Sequence, residues 1–531
     1  MKKNILVLVV SFVLLSSCVV FATGTNGGMN VSLGYTIIDD YDNPSVSQET
    51  YNYYEGFALS IDNFRYSLNN GINFNGNFYN TTLNNRNIRF SSFKSGLYNL
   101  SLYNNQYRRI YDATGSKFTR RESSGIKGFV QPTKNIKFFG GFNYSDKDGL
   151  TSYTFRPILE VQDRSVNFTT YNYNFGGTVF DKHGNVTVDY KTFIAQDDEI
   201  PGFMHDRKAT QLNITASSTV PNHEEIQLFA GYLSREDKMD SLTTNLKTTN
   251  GWGAVRYYFG DQFRFNYRLI MTSTEHFDNA TTTDNNYHTA SIQKDWDRIG
   301  GIRVGYEMRK SEDDINKASS NGYIIDGWYN YNQTWFFRGR YSSHTREVDE
   351  GSVLIGDREK SKHLFSVKYM LKDFGSMTGK VERQIKRYND IADLGDGLVS
   401  SEANYTKASF RLSLKDKRFG KLIFTNSYYL GKYEDLSNET SYEFSDHILT
   451  ATVIPREIGQ FELLAGSSYY RSRRNVDAEK FNFTGSITWN FMSDHKIVAG
   501  YQVYTFDDLL VSPDTYTTNI VEIKFIKNLT F

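Results

Sequence analysis

Along most of this chain apolar and polar residues change places at every step. That habit constrains the fold more than any other property. In "FNFTGSITWNF" (481–491), Phe481, Phe483, Ile487, Trp489 and Phe491 alternate with Asn482, Thr484, Ser486, Thr488 and Asn490. Side chains that alternate with a period of two belong to an extended strand with one apolar and one polar face. "IKFFGGFNY" (136–144), "IQLFAGY" (226–232), "FRFNYRLIM" (263–271), "IRVGYEM" (302–308) and "IVAGYQV" (497–503) behave alike. Such segments predict strands of roughly 9–11 residues, the length of a tilted strand crossing a bilayer. Beyond the first residues nothing longer than a turn shows a 3.6-residue period, so no helices are expected.

Turn signals punctuate the strands at a regular beat. They fall at "LNNG" (68–71), "FKSG" (93–96), "PTKN" (132–135), "DKHGN" (181–185), "PNHEE" (221–225) and "FGDQ" (259–262). The beat continues at "DRIGG" (297–301), "NQTW" (332–335), "KDFGS" (372–376), "DKRFG" (416–420), "PREIGQ" (455–460) and "MSDHK" (492–496). Between them lie longer charged stretches, among them residues 194–208, 234–247, 310–321 and 344–352, which read as loops. Twelve short turns bound thirteen hairpins. The expected fold is therefore all-β: a single large closed antiparallel transmembrane β-barrel of about 26 strands, within about 22–28, with short periplasmic turns and longer extracellular loops.

Composition agrees. The chain holds 38 Tyr, 39 Phe and 40 Gly against 7 Pro, yet only 39% of its residues are hydrophobic. A dry core of this size needs more aliphatic residues, and a disordered chain is poor in aromatics. A secreted adhesin or propeller is disfavoured for the first reason. Tyr144, Tyr232, Trp252, Trp335 and Trp489, near strand ends, suit interfacial girdles. Lys and Arg number 60, as do Asp and Glu, so no basic excess points to nucleic acid. Residues 1–22 read as a signal peptide, with Lys2 and Lys3 before an apolar run and Val20-Phe21-Ala22 as the cleavage site. Residues 23–531 then form the barrel. A rival reading takes "LSSC" as a lipoprotein box with Cys18 lipidated. Cleavage after Ala22 removes the single cysteine, and with it disulfide and thiol chemistry.

The sequence ends on "VEIKFIKNLTF" (521–531), with Val521, Ile523, Phe525, Leu529 and Phe531 on one face and Lys527 interrupting the series. In a closed barrel the last strand pairs with the first. This terminal pattern resembles the signal by which outer-membrane barrels are recognised by the barrel-assembly machinery. Charged residues on the other faces, Arg264 and Arg268 beside Asn266, then Arg303, Glu307 and Arg309, cannot face lipid without a cost of about 2–4 kcal/mol at mid-bilayer for an Arg or Lys. They are expected to line the lumen.

Strand spacing and tilt give 26 strands a width of roughly 50 Å, more than side chains fill. Alternation begins at "MNVSLGYTII" (29–38), which suggests that the plug comes from another chain. This layout resembles the MtrB/PioB family of decahaem-cytochrome-associated outer-membrane barrels. The local likeness lies in "PTKNIKFFGGFNYSDKDG" (132–149) and "HEEIQLFAGYLSREDK" (223–238), each a polar turn, an alternating strand and a charged loop start. The chain lacks the N-terminal cysteine pair of some members. The resemblance implies a sheath holding a periplasmic multihaem c-type cytochrome, with haem in the partner and no cofactor in this chain. The alternative is a porin-type channel.

No catalytic, phosphate-binding or dinucleotide motif is present, and no His pair has zinc spacing, so an enzyme is not expected. "SDKDG" (145–149) reads as a turn, since it lacks the closing Glu of a calcium loop. Asp197-Asp198-Glu199 and Glu312-Asp313-Asp314 read as solvated loop charge, and His183, His223 and His495 as polar residues of short turns.

Overall fold

The computed structural model describes residues 26–41, 55–110, 118–153, 162–197, 206–239, 245–277, 281–297, 299–313, 317–350, 357–393, 397–418, 420–435, 440–474, 477–508 and 516–531. Residues 1–22, read as a signal peptide and containing Cys18, lie outside the described residues, as do Asp198, Glu199 and Asp314.

Each strand pairs antiparallel with its successor, and the first, β1 (Asn26–Tyr41), pairs with the last, β26 (Tyr516–Thr530). Among the described residues this makes one 26-stranded sheet, closed on itself. All twelve expected turns join strands at one end of the barrel. The turn at Asn332–Gln333 shows the chemistry: both residues have positive φ, 50° and 56°, and Thr334 N donates to Tyr331 O at 3.1 Å. Two left-handed residues match the right-handed strand twist, which ordinary turns oppose. One short turn contains the only helical element among the described residues, a 3-10 turn at Lys372–Phe374.

The strands are longer than the sequence reading expected. β20 (Gly397–Asp416) has 20 residues and β7 (Ile136–Tyr153) has 18. The apolar face keeps the expected length. On β16 (Lys317–Tyr331) the large exposed side chains run only from Tyr323 to Tyr331. The added length carries charge. Residues 234–239, 310–312 and 344–350, expected as loop, continue the ladder instead. Cross-strand pairs such as Arg207–Asp237 at 3.0 Å and Lys317–Glu312 at 3.6 Å join their side chains there. "SDKDG" is likewise a strand segment within β7. Arg120 donates to Asp148 at 3.0 Å, and Thr169 Oγ1 to Asp146 at 3.4 Å.

Large apolar side chains stand exposed on one face, the outer face of the barrel: Phe175 is 63% and Tyr323 57% accessible. Rings gather on it beside the short turns. Phe259 stacks on Phe263 at 5.2 Å, Trp335 meets Tyr369 at 4.4 Å and Phe461 stacks on Trp489 at 6.2 Å. The Lys294 ammonium lies 4.9 Å from the Phe263 ring, its apolar stem laid along the belt.

At the seam, β1 and β26 pair without a register shift from Gly28↔Thr530 to Tyr41↔Thr517. Gly27 N donates to Phe531 O at 2.8 Å and Phe531 N to Gly27 O at 3.1 Å. The Phe531 ring packs 6.1 Å from that of Tyr66 and over Gly27, where an added Cβ would stand 2.5 Å from Cε2. The ring fills the space that a side chain at Gly27 would take. Replacing Phe531 with Asp removes this ring contact and should destabilise the seam by about 1–2 kcal/mol. We expect a smaller heat-modifiable, membrane-inserted fraction on electrophoresis, with Lys527→Ile at least as stable as the parent. Unchanged assembly of Phe531→Asp would contradict a role for the ring.

Candidate functional site: the polar inner wall

The opposite face carries the charge, and register decides which charges meet. One row across adjacent strands reads Arg264, Gln293, Arg303, Asp326, Arg340. These come from β13 (Phe263–His276), β14 (Thr281–Trp296), β15 (Gly300–Glu312), β16 and β17 (Trp335–Glu350). Arg264 Nη2 donates to Gln293 Oε1 at 2.5 Å, and Gln293 Nε2 donates to both Asp295 oxygens at 3.0 Å.

Asp326, only 3% accessible, is the hub. Arg338 grips it with two parallel bonds, Nε to Oδ1 at 3.1 Å and Nη2 to Oδ2 at 2.9 Å, while Arg303 approaches Oδ2 at 3.5 Å. The fork of a guanidinium matches both carboxylate oxygens, which fixes direction as well as charge.

All five residues expected to line the lumen stand on this face. Arg264 and Arg268 lie on β13, Arg303, Glu307 and Arg309 on β15, with β14 between them. Arg309 Nη2 donates to Asn285 Oδ1 at 2.7 Å, and Glu307 stands 3.6 Å from His344 on β17. Asp326, Arg338 and the Gln293–Asp295 pair were not expected from the sequence. Asp326 had a visible signal, an acid directly after the alternating Tyr323 and Ile325. Gln293 and Asp295 stand two apart on one strand, whereas the meeting of Asp326 with Arg303 and Arg338 needs cross-strand register.

Trp252 is a correction. It pairs with Ile270 on the inner face, and the Arg268 guanidinium lies 5.4 Å from its ring. A ring that holds a guanidinium by its π-face is more useful there than in the girdle. Tyr144, Tyr232, Trp335 and Trp489 share the outer face. On β26, Val521, Ile523 and Phe525 are exposed on that face too, opposite Ile37, Tyr35 and Leu33. Leu529 faces Met29, and Lys527 faces Val31 and His495.

The other singled-out groups are tied locally. His223 Nδ1 lies 3.0 Å from Glu225, His495 Nδ1 2.8 Å from Asp494, and the His183 carbonyl accepts from Thr219 N at 2.7 Å. Glu312 pairs with Lys317. Among the described residues no group of three His, Cys, Asp or Glu is placed to hold a metal ion. No described helix is long and apolar enough to cross a membrane, which leaves crossing by strands open.

No family model and no curated protein sequence matches the chain. Solved structures do. The siderophore receptor PirA from Pseudomonas aeruginosa is 8% identical with a TM-score of 0.52, the match covering 82% of this chain and 80% of that one. A mutant of the ferric enterobactin receptor PfeA from the same organism is 8% identical with a TM-score of 0.50, covering 95% and 81%. At such identity the likeness is one of fold. The chain is a bacterial outer-membrane β-barrel: a closed sheet, an apolar outer belt with rings at its rim, and a charged interior.

Asp326→Asn should leave Arg303 and Arg338 facing each other without their counter-charge. Both arginines are partly accessible, so we expect a modest loss of about 1–2 kcal/mol. The loss would appear as a lower temperature of heat-modification. No change in that temperature would show that the pair adds nothing to the wall.

Proposed function

We propose that this barrel is a sheath: a wall across the outer membrane that holds a separate, polar partner in its lumen. The observation that carries the reading is that every described strand belongs to the wall. Many inner charges are tied laterally to one another, as at Arg303–Asp326–Arg338. They face a lumen of roughly 50 Å. A wide polar bore lined by side chains that satisfy each other suits an occupant brought from elsewhere.

In the manner of the MtrB/PioB barrels, the occupant is a periplasmic multihaem c-type cytochrome and the activity is electron transfer across the membrane. The haem then belongs to the partner, and this chain supplies a water-lined, low-charge-contrast seat. The short turns lie in the periplasm and the long connections outside. Val521, Ile523, Phe525, Leu529 and Phe531 form the strand read by the assembly machinery.

A second reading, a channel for solutes, draws on the arginines of β13, β15 and β17. Basic side chains on these strands act on diffusing anions as well as on a docked protein. Purification of the untagged protein from its own membranes separates the two. The sheath reading expects a c-type haem spectrum in fixed proportion to the barrel and no single-channel conductance in planar bilayers. Haem-free barrel with stable conductance would overturn the sheath and leave the channel.

A further inference from the structure

On the inner wall near the long-loop end, basic side chains stand directly opposite one another. His344 of β17 faces Lys360 of β18 (Asp357–Met370), and Lys360 faces Lys386 of β19 (Gly375–Asp393). One step further out, Arg346 faces Arg358. They share the inner face with Arg340 and Leu364, while Tyr341, Phe365 and Val381 point outward. Like charges directly opposite destabilise a sheet.

The surrounding wall shows that this is not a general excess of base. At the same level of the outer face Arg387 sits between two acids, 2.8 Å from Glu402 and 3.3 Å from Glu359. Lower on the inner face Glu382 takes Lys362 at 2.6 Å and Lys380 at 2.9 Å. In the ladder itself, among the described residues, His344 meets Glu307 at 3.6 Å, and neither Lys360 nor Lys386 meets a carboxylate. The cations are also held in place. Lys386 lies 5.6 Å from the Tyr405 ring centroid and the Arg358 guanidinium 5.5 Å from that of Tyr388. Neighbouring rungs stand about 5 Å apart, so three strands bring their basic ends together over the span of one small molecule.

We propose that Lys360 and Lys386, with His344 beside them, form a binding site for a compact polyvalent anion, one carrying several phosphate or carboxylate groups. Such an anion converts a repulsive ladder into charge-assisted hydrogen bonds. The inner face excludes a lipid headgroup as its source. The site belongs to the wall and does not depend on what fills the rest of the lumen.

The test is calorimetric titration of the purified, detergent-solubilised full-length barrel with tripolyphosphate at low salt. Saturable binding is expected, weakened about tenfold or more in a Lys360→Gln/Lys386→Gln variant, as expected for losing charged hydrogen bonds. Lys182→Gln, in a short turn at the other end, should leave it unchanged. Heat unfolding supplies a second reading. Tripolyphosphate should raise the unfolding temperature of the parent, whereas the double variant should start higher and not respond. Absence of saturable binding to the parent would overturn the site. So would equal weakening by Lys182→Gln, or a double variant that binds as the parent does.

Discussion

Everything in this molecule depends on one requirement: within a bilayer no backbone N–H or C=O can be left to water. A sheet meets it only by having no edge. Here the requirement is met by β1 and β26, whose ladder runs unbroken between Gly28↔Thr530 and Tyr41↔Thr517 and ends in the reciprocal pair Gly27–Phe531. Closure then fixes the rest. A closed sheet has one outside and one inside, so every residue is assigned to lipid or lumen by its parity along the strand. A slip of one residue at the seam would turn Val521, Ile523 and Phe525 inward and set Glu522 and Lys524 against lipid.

Parity also separates two kinds of stabilisation. Outside, rings and aliphatic chains are matched to acyl chains, and the aromatic rim fixes the height of the barrel. Inside, stability comes from fitting charges to one another at half-exposed sites, where any single ion pair adds little. Asp326 is the exception, because its near-complete burial makes the two arginines necessary to it. Beyond the belt the strands continue as ladders that carry charge, paired across strands in places, as at Arg207–Asp237.

That division explains how much the sequence disclosed. Alternation and turn chemistry are local, so all twelve turns, the strand number and the faces of Arg264, Arg268, Arg303, Glu307 and Arg309 could be read from residues alone. "SDKDG" misled because its composition is that of a turn, while its neighbours across the ladder, Arg120 and Thr169, hold it extended. Trp252 misled because it stands in the middle of the strand Leu246–Phe259, at a position that parity turns inward. The choice was made by Gly231 opposite, which leaves room for the indole, and by Arg268 above it. The Asp326 hub and the Lys360 ladder are properties of register, which no single strand contains.

Closure of one chain on itself in this register can be tested by a single cross-link. Ser32 and Ile526 stand opposite each other across the seam on the inner face, at a Cα separation of about 4.5–5.5 Å that a disulfide spans. With Cys18 removed with the signal peptide or replaced, a Ser32→Cys/Ile526→Cys protein oxidised in intact outer membranes should give an intramolecular disulfide. It would be seen as a faster-migrating denatured monomer that reverts on reduction. Cross-linking only between chains, or efficient cross-linking of Ser32→Cys to Lys524→Cys instead, would contradict the closed register.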